Sequence, residues 1–381
     1  MSRVKLGIDN IDKYLDIFEN KTVGLITNPT GIDSNFNSTI DLLKEKTNLV
    51  ALYSPEHGVR GDIQAGEKVD NYIDEKTGLN VYSLYGKNKK PSYDIIKDLD
   101  VLVFDIQDVG SRFYTYLYTM AYAMESCKEF NKIFMVLDRP NPIGGEKIEG
   151  NILDINYKSF IGLYPITQRY GLTIGELALL FNKEFKIGCD LRIIKLEGWK
   201  RWMYFEDTNL PWIMPSPNIP TMDTALVYSG TCIFEGTNIS EGRGTTKPFE
   251  VIGSPWLNAY RIAEEMNKMS LPGVKFRPAY FTPTFSKHSG DLCKGVQIHI
   301  TSRKEFKPVI TGLSLLFKIR EESKEKFKFI PPYTKEGKHM IDYNTGGSYV
   351  REGKTTLKEL IAMWNEDKIR FASIKERYHI Y

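Results

Sequence analysis

Cysteine and histidine are scarce in this sequence. It holds four cysteines, Cys127, Cys189, Cys232 and Cys293, and five histidines in 381 residues. The cysteines are far apart with no CxxC pair, so neither a zinc knuckle nor a disulfide framework is signalled, and buried thiols are expected. The histidines show no ligand-like spacing, and His299 alternates inside a strand-like run, where a sheet position is expected. No apolar run reaches the ~18 residues of a membrane-spanning helix. The N-terminus, MSRVKLGIDNIDKYLDIFEN, has no apolar core and no small-residue cleavage site. A cytoplasmic protein is therefore expected, with secretion the alternative if a leader precedes this sequence. Charge of one sign is missing too. Lys+Arg is 51 and Asp+Glu is 48, a net charge of +3, too balanced for a protein that holds nucleic acid by phosphate neutralisation.

Sequence signatures of common chemistries are also absent. There is no GxGxxG after the first strand, no GxxxxGK[ST], no HExxH and no GxSxG. A dinucleotide or metal cofactor is not expected. A sugar-nucleotide enzyme of Rossmann type is weighed against by the missing glycine fingerprint.

What is present is alternation. Apolar runs at 22–27, 48–54, 80–86, 100–108, 132–138 and 190–199 read as strands. Helical stretches are expected near 38–46, 112–130 and 172–185, the last with Thr173 and Glu176 as a capping box. Buried strands alternating with helices predict an α/β domain with a Rossmann-like, parallel sheet. The second half, rich in Gly, Thr and Ser at 225–250, reads as a smaller α+β domain. It has helices near 257–269, 309–323 and 356–364 and a mixed sheet from strands at 274–283 and 294–302. The Pro-rich stretch 210–223 suggests domains 1–215 and 216–381.

Parallel sheets place sites at the carboxyl ends of their strands. Four such ends carry polar groups: Thr27-Asn28, Glu56-His57, Asp105-Gln107-Asp108 and Asp138-Arg139-Pro140-Asn141. Asp138 has a plainer reading as a turn cap. Side chains alternate along a strand, so Asp105 and Gln107 share one face and Asp108 the other. At least one of these carboxylates is expected to be structural, for example paired with Arg112. Glu56 follows an apolar strand, where a buried carboxylate is costly without a role. Further polar groups gather at Arg112 and Tyr114, and at Glu235, Asn238, Glu241 and Arg243 among glycines. Ordinary surface charges and helix packing are the plain readings there.

The blocks SPEHGVRG, VFDIQDVGSRFYTY, LDRPNPIGG, ITQRYGLTIGELA, MPSPNIPT and FEGTNISEGRGTTKPFE together resemble the exo-β-N-acetylmuramidases. The resemblance runs from GLITNPTG to RYHIY, nearly the whole chain. It implies a Rossmann-like domain, a smaller C-terminal domain and an active site in the cleft between them. It implies removal of terminal N-acetylmuramic acid from non-reducing ends of peptidoglycan fragments, a small-molecule substrate. It also marks Glu56 of the PEHG block as catalytic.

Glycoside cleavage needs an acid at the leaving oxygen and negative charge for an oxocarbenium-like transition state. Glu56 is the expected acid, with Asp108, Asp105 or Glu235 as partner. In a route through the substrate's own acetamido group, a carboxylate or Tyr114 would assist. The lactyl carboxylate favours arginine, with Arg112 ahead of Arg243 and Arg169. Asn28, His57, Gln107, Asn141, Asn218, Asn238 and Glu241 complete the expected binding residues. The alternative from a different class is a non-catalytic muropeptide-binding protein.

Overall fold

A computed structural model describes residues 3–56, 58–61, 71–86 and 89–381. Its first half is built on strands β1 (Thr22–Thr27), β2 (Asn48–Ser54), β3 (Tyr72–Ile73), β4 (Asn80–Ser83), β5 (Val101–Asp105), β6 (Ile133–Leu137) and β7 (Asp190–Ile194). They form one sheet in the order β3-β4-β2-β1-β5-β6-β7. All neighbours pair parallel except β3 with β4. The apolar runs of β5 and β6 are buried almost throughout, as strands covered on both faces must be. One apolar core on one face includes Phe104, Leu117 and Phe134; the other includes Leu25, Val103 and Met135.

Local signals set the helix starts. Ser38 Oγ accepts from Ile40 N at the head of Thr39–Lys46. The Thr173–Glu176 capping box opens Ile174–Glu184. The helix expected from Arg112 begins only at Tyr116 and runs to Glu129. The delay has a cause: Arg112 N donates to Gln168 O at 2.8 Å and Tyr114 N to Ser111 O at 3.0 Å, which commits these amides to a loop.

The second half carries β8 (Val251–Ser254), β9 (Val274–Phe281) and β10 (Cys293–Ile300). They form a three-stranded sheet, β8-β10-β9, in which both pairings are antiparallel, not mixed. Pro278 is tolerated in β9 because β9 is an edge. The Gly- and Thr-rich composition around 225–250 concealed a helix, Met222–Thr231, and a short 3-10 turn, Cys232–Gly236. That helix packs closely on Pro308–Glu322. A Cβ on Gly230 would lie 1.8 Å from Pro308 O, and one on Gly312 would lie 2.0 Å from Gly230 O. The C-terminal helix extends over Leu357–Lys375, well past Trp364.

The halves share the first apolar core, which continues through Tyr228, Phe234, Leu316 and Phe371. The chain beyond the C-terminal helix returns to the parallel sheet. Lys375 Nζ donates to Gly145 O and Gly171 O at 2.6 and 2.7 Å, and Tyr381 Oη to Asp138 Oδ2 at 2.6 Å. All four cysteines are free and buried. Among the described residues, no helix is long and apolar enough to cross a membrane.

Candidate active site

The sheet order reverses between β1 and β5, the place where open α/β sheets usually bind ligands. Here that place is filled. Asp105, at the end of β5, forms a two-pronged ion pair with Arg139, with Nε–Oδ1 at 2.5 Å and Nη2–Oδ2 at 2.8 Å. Thr39 adds a hydroxyl to Asp105 Oδ2 at 2.5 Å. Asn28 Oδ1 accepts from Thr30 N and its hydroxyl, and Thr30 Oγ1 accepts from Gln107 N. Gln107 Nε2 donates to the carbonyls of Asp108 and Pro140 at 2.8 Å each. The partner expected for one strand-end carboxylate was Arg112; the structure assigns Arg139 to Asp105 instead.

The open cleft, about 230 Å³, lies on the β2 side of this plug, between the two halves. One wall is Glu56, placed by the end of β2. Tyr85 Oη donates to Glu56 Oε1 at 3.0 Å and Thr115 Oγ1 to Oε2 at 3.3 Å. Thr115 stands at the N-cap of helix Tyr116–Glu129 yet makes no capping hydrogen bond. Its hydroxyl serves the carboxylate instead. Tyr116 Oη steadies the backbone by donating to Pro215 O at 2.8 Å.

The second half adds Glu235, Arg243 and Phe249 to the lining. Arg243 Nη2 pairs with Glu235 Oε1 at 2.5 Å, and its Nε with Glu241 Oε1 at 3.3 Å. Burial opposes the arginine's charge, but the two glutamates outweigh that and raise its pKa. Glu241 lies behind this lining, fixed by Lys287 Nζ at 2.7 Å. The Arg243 guanidinium also sits 5.1 Å from the Phe249 ring centroid, a stabilising cation–π contact.

Aromatic rings form the floor. Tyr228 packs edge-to-face on Tyr114 and Phe249, at 6.0 and 4.7 Å between centroids. The Tyr114 hydroxyl is buried and, among the described residues, meets no partner at good hydrogen-bond geometry, although Ser216 and Tyr116 stand close beside it. Burial pushes its pKa well above the ordinary phenol value. A buried polar atom without a partner is costly, and this one belongs to a residue lining the cleft.

The expected site residues divide accordingly. Glu56, Tyr114, Asn218, Glu235 and Arg243 line the cleft together, with Glu241 immediately behind. Asn28, Asp105 and Gln107 belong to the plug. Asp108 is buried behind the tyrosines: its Oδ2 accepts from Gly110 N and the Tyr170 hydroxyl, while Oδ1 has no partner. Burial pushes its pKa up to about 6. Arg112, expected first for the lactyl group, is fully buried and donates to the carbonyls of Asn151, Ile166 and Asn344. Arg169 is likewise buried, held by Glu149 and Ile143 O. Asn141 donates to Leu172 O, and Asn238 clips residues 326–328. His57 lies outside the described residues.

The family model described as exo-beta-N-acetylmuramidase NamZ, N-terminal, matches residues 23–223, and its C-terminal counterpart matches 226–381. The chain is 51% identical to peptidoglycan beta-N-acetylmuramidase NamZ of Bacillus subtilis (strain 168), over all of this chain and 92% of that protein. The chain belongs to the NamZ exo-β-N-acetylmuramidase family. Two solved DUF1343 family proteins from Bacteroides fragilis NCTC 9343 share its fold. They match at 40% and 32% identity with TM-scores of 0.91 and 0.80, each over 100% of this chain and 99% of the other.

Several residues lining this NamZ-family cleft escaped the sequence reading: Tyr85, Thr115, Phe160, Ser216, Tyr228 and Phe249. Ser216 stands two positions before Asn218 in the MPSPNIPT block and Thr115 follows Tyr114, so both were within reach. Tyr228 and Phe249 were not singled out, and their rings pack on each other as well as lining the cleft. Tyr85 lies 29 positions from Glu56, the carboxylate it holds, and no local pattern joins them.

Proposed function

We propose that this chain is a glycosidase that removes terminal N-acetylmuramic acid from the non-reducing ends of peptidoglycan fragments, with Glu56 as general acid. Family membership supports the reaction class. The observation that carries the assignment of roles is the cleft itself, which Glu56, Arg243 and Glu235 line together with Tyr85, Tyr114, Tyr116 and Tyr228. Its volume of about 230 Å³ falls below the roughly 300–1,000 Å³ of pockets for drug-sized ligands, which suits a single terminal sugar.

Glu56 delivers its proton to the leaving oxygen as the bond from the anomeric carbon breaks; water adds its oxygen at that carbon, and the proton it gives up, directly or through solvent, restores the Glu56 carboxyl group. Tyr85 and Thr115 orient the carboxyl group. Arg243 reads the lactyl carboxylate through charge-assisted hydrogen bonds, a role that the burial of Arg112 and Arg169 leaves to it. The free Tyr114 hydroxyl and Asn218 bind ring substituents.

The test is turnover of chromogenic β-N-acetylmuramides with two leaving groups. Wild type hydrolyses both and prefers the muramide to the glucosaminide. Glu56→Gln keeps the shape and removes the proton. It should lose about 10²–10⁴-fold in kcat with a poor leaving group and much less with an activated aryl group. Equal losses with both leaving groups would take the acid role from Glu56.

A further inference from the structure

The two carboxylates on Arg243 are not equivalent. Glu241 is buried, its side chain 2% exposed, and is also tied to Lys287. Lys287 Nζ is itself fixed by the carbonyls of Phe234 and Ile239, at 2.7 and 3.1 Å. Glu235 is the looser partner. Its side chain is 20% exposed, it lines the cleft, and its other contact is a weak donor, Cys232 Sγ at 3.4 Å. Glu235 thus occupies the cleft-side position on the guanidinium, where an incoming carboxylate would bind.

A ligand carboxylate and Glu235 therefore compete for the same donor. Arg243 keeps Glu241 and the face of Phe249 whichever of them binds, so the exchange leaves the arginine in place. A carboxylate displaced from Arg243 remains on the cleft wall, accessible to water, and has lost the cation that it pairs with among the described residues.

We infer that the substrate's lactyl carboxylate replaces Glu235 on Arg243, and that the freed Glu235 then faces the positive charge developing at the anomeric carbon. Muramide specificity thereby resides in turnover as well as in binding. A glucosaminide fills the cleft but leaves Glu235 locked to Arg243, unable to stabilise an oxocarbenium-like transition state. This inference rests on the proposed muramidase reading, and it makes Glu235 a catalytic residue that the correct substrate switches on.

The experiment supplies the missing carboxylate separately. Glucosaminide turnover is measured with wild type at increasing D-lactate, tens of millimolar at the top, with chloride at matched ionic strength as control. Lactate should raise kcat on the glucosaminide by about ten-fold, a coupling within the usual range between two sites, and chloride should not. Glu235→Gln and Arg243→Met should abolish the lactate effect, and Glu235→Asp should retain part of it. Arg243→Met should also raise basal kcat on the glucosaminide, because Glu235 is no longer held. Melting temperatures close to wild type show that the variants fold. Lactate that leaves glucosaminide turnover unchanged or only inhibits it, with muramide turnover intact, overturns the exchange and leaves the muramidase reading standing. Absence of muramide turnover in wild type overturns the underlying reading instead.

Discussion

Replacing Asp105 with Asn separates two explanations of the same carboxylate. Its position at the end of β5 suggested substrate binding, whereas its contacts are wholly internal. Its side chain is 1% exposed and that of its partner Arg139 is 4% exposed. Asp105→Asn keeps the volume and one acceptor oxygen but leaves the guanidinium buried without a counter-charge. Removing one partner of a buried pair costs about 3–5 kcal/mol, because the remaining ion cannot recover its hydration. Arg139 keeps one further bond, Nη2 to Ile32 O at 2.8 Å, which places the expected loss toward the lower half of that range. For a 381-residue chain the unfolding entropy near the midpoint is about 0.8 kcal/mol per degree, so Tm should fall by about 4–5 °C. Calorimetry with wild type in the same buffer measures the shift, and muramide kinetics at 25 °C measure the consequence for the cleft. KM should stay within about two-fold of wild type, because no substrate contact is lost. An unchanged Tm with a KM raised ten-fold or more would refute the structural assignment and return Asp105 to the binding surface.

Two further outcomes follow from buried polar atoms. Tyr114→Phe removes a hydroxyl that has no partner in the free protein, so stability should hold or rise by about 1 kcal/mol while kcat/KM falls by about 10–100-fold; a drop in Tm on scanning calorimetry would show that the hydroxyl is structurally bonded. Asp108 has its pKa pushed up to about 6 by burial, so the folded state binds an extra proton between the ordinary carboxylate value and about 6. Stability from this group should therefore decline as pH rises through that window, by about 3 kcal/mol in total. Asp108→Asn should flatten the decline in urea-melt midpoints taken from pH 4 to pH 7, and an unaltered slope would assign the pH dependence elsewhere.

The fold was legible where one physical effect dominated. β1 and β2 fall on their apolar runs residue for residue, because each has a buried apolar stretch, 23–26 in β1 and 51–53 in β2, next to turn residues or a helix. The capping box at Thr173 fixed a helix start to the residue. The helix Met222–Thr231 was not legible, since its Ser, Gly and Thr content reads as loop and only the close approach of Gly230 to Pro308 explains it. The second sheet was read as mixed because strand direction is set by connections, and alternation within β9 and β10 is silent on direction. Glu56 could be reached from its place after β2. Arg112 could not be excluded, because carbonyls at Asn151, Ile166 and Asn344 are invisible to any local pattern.

The position of the cleft follows from the same contacts. Convergence of carboxylates at strand ends is necessary for a parallel-sheet site, but it does not say which ends remain open. An end closes when the next strand supplies an opposite charge at hydrogen-bonding distance, as Arg139 after β6 does for Asp105. The cleft opens beside the end of β2, where the hydroxyls of Tyr85 and Thr115 donate to Glu56. Hydroxyl donors can hold a carboxyl group in either protonation state, whereas a guanidinium pins it as the anion. The proton-transfer group of a glycosidase must pass between both states in each cycle. Glu56, the proposed proton-transfer group, stands at the open end of β2, and the charged pair of Asp105 and Arg139 secures the scaffold beside it.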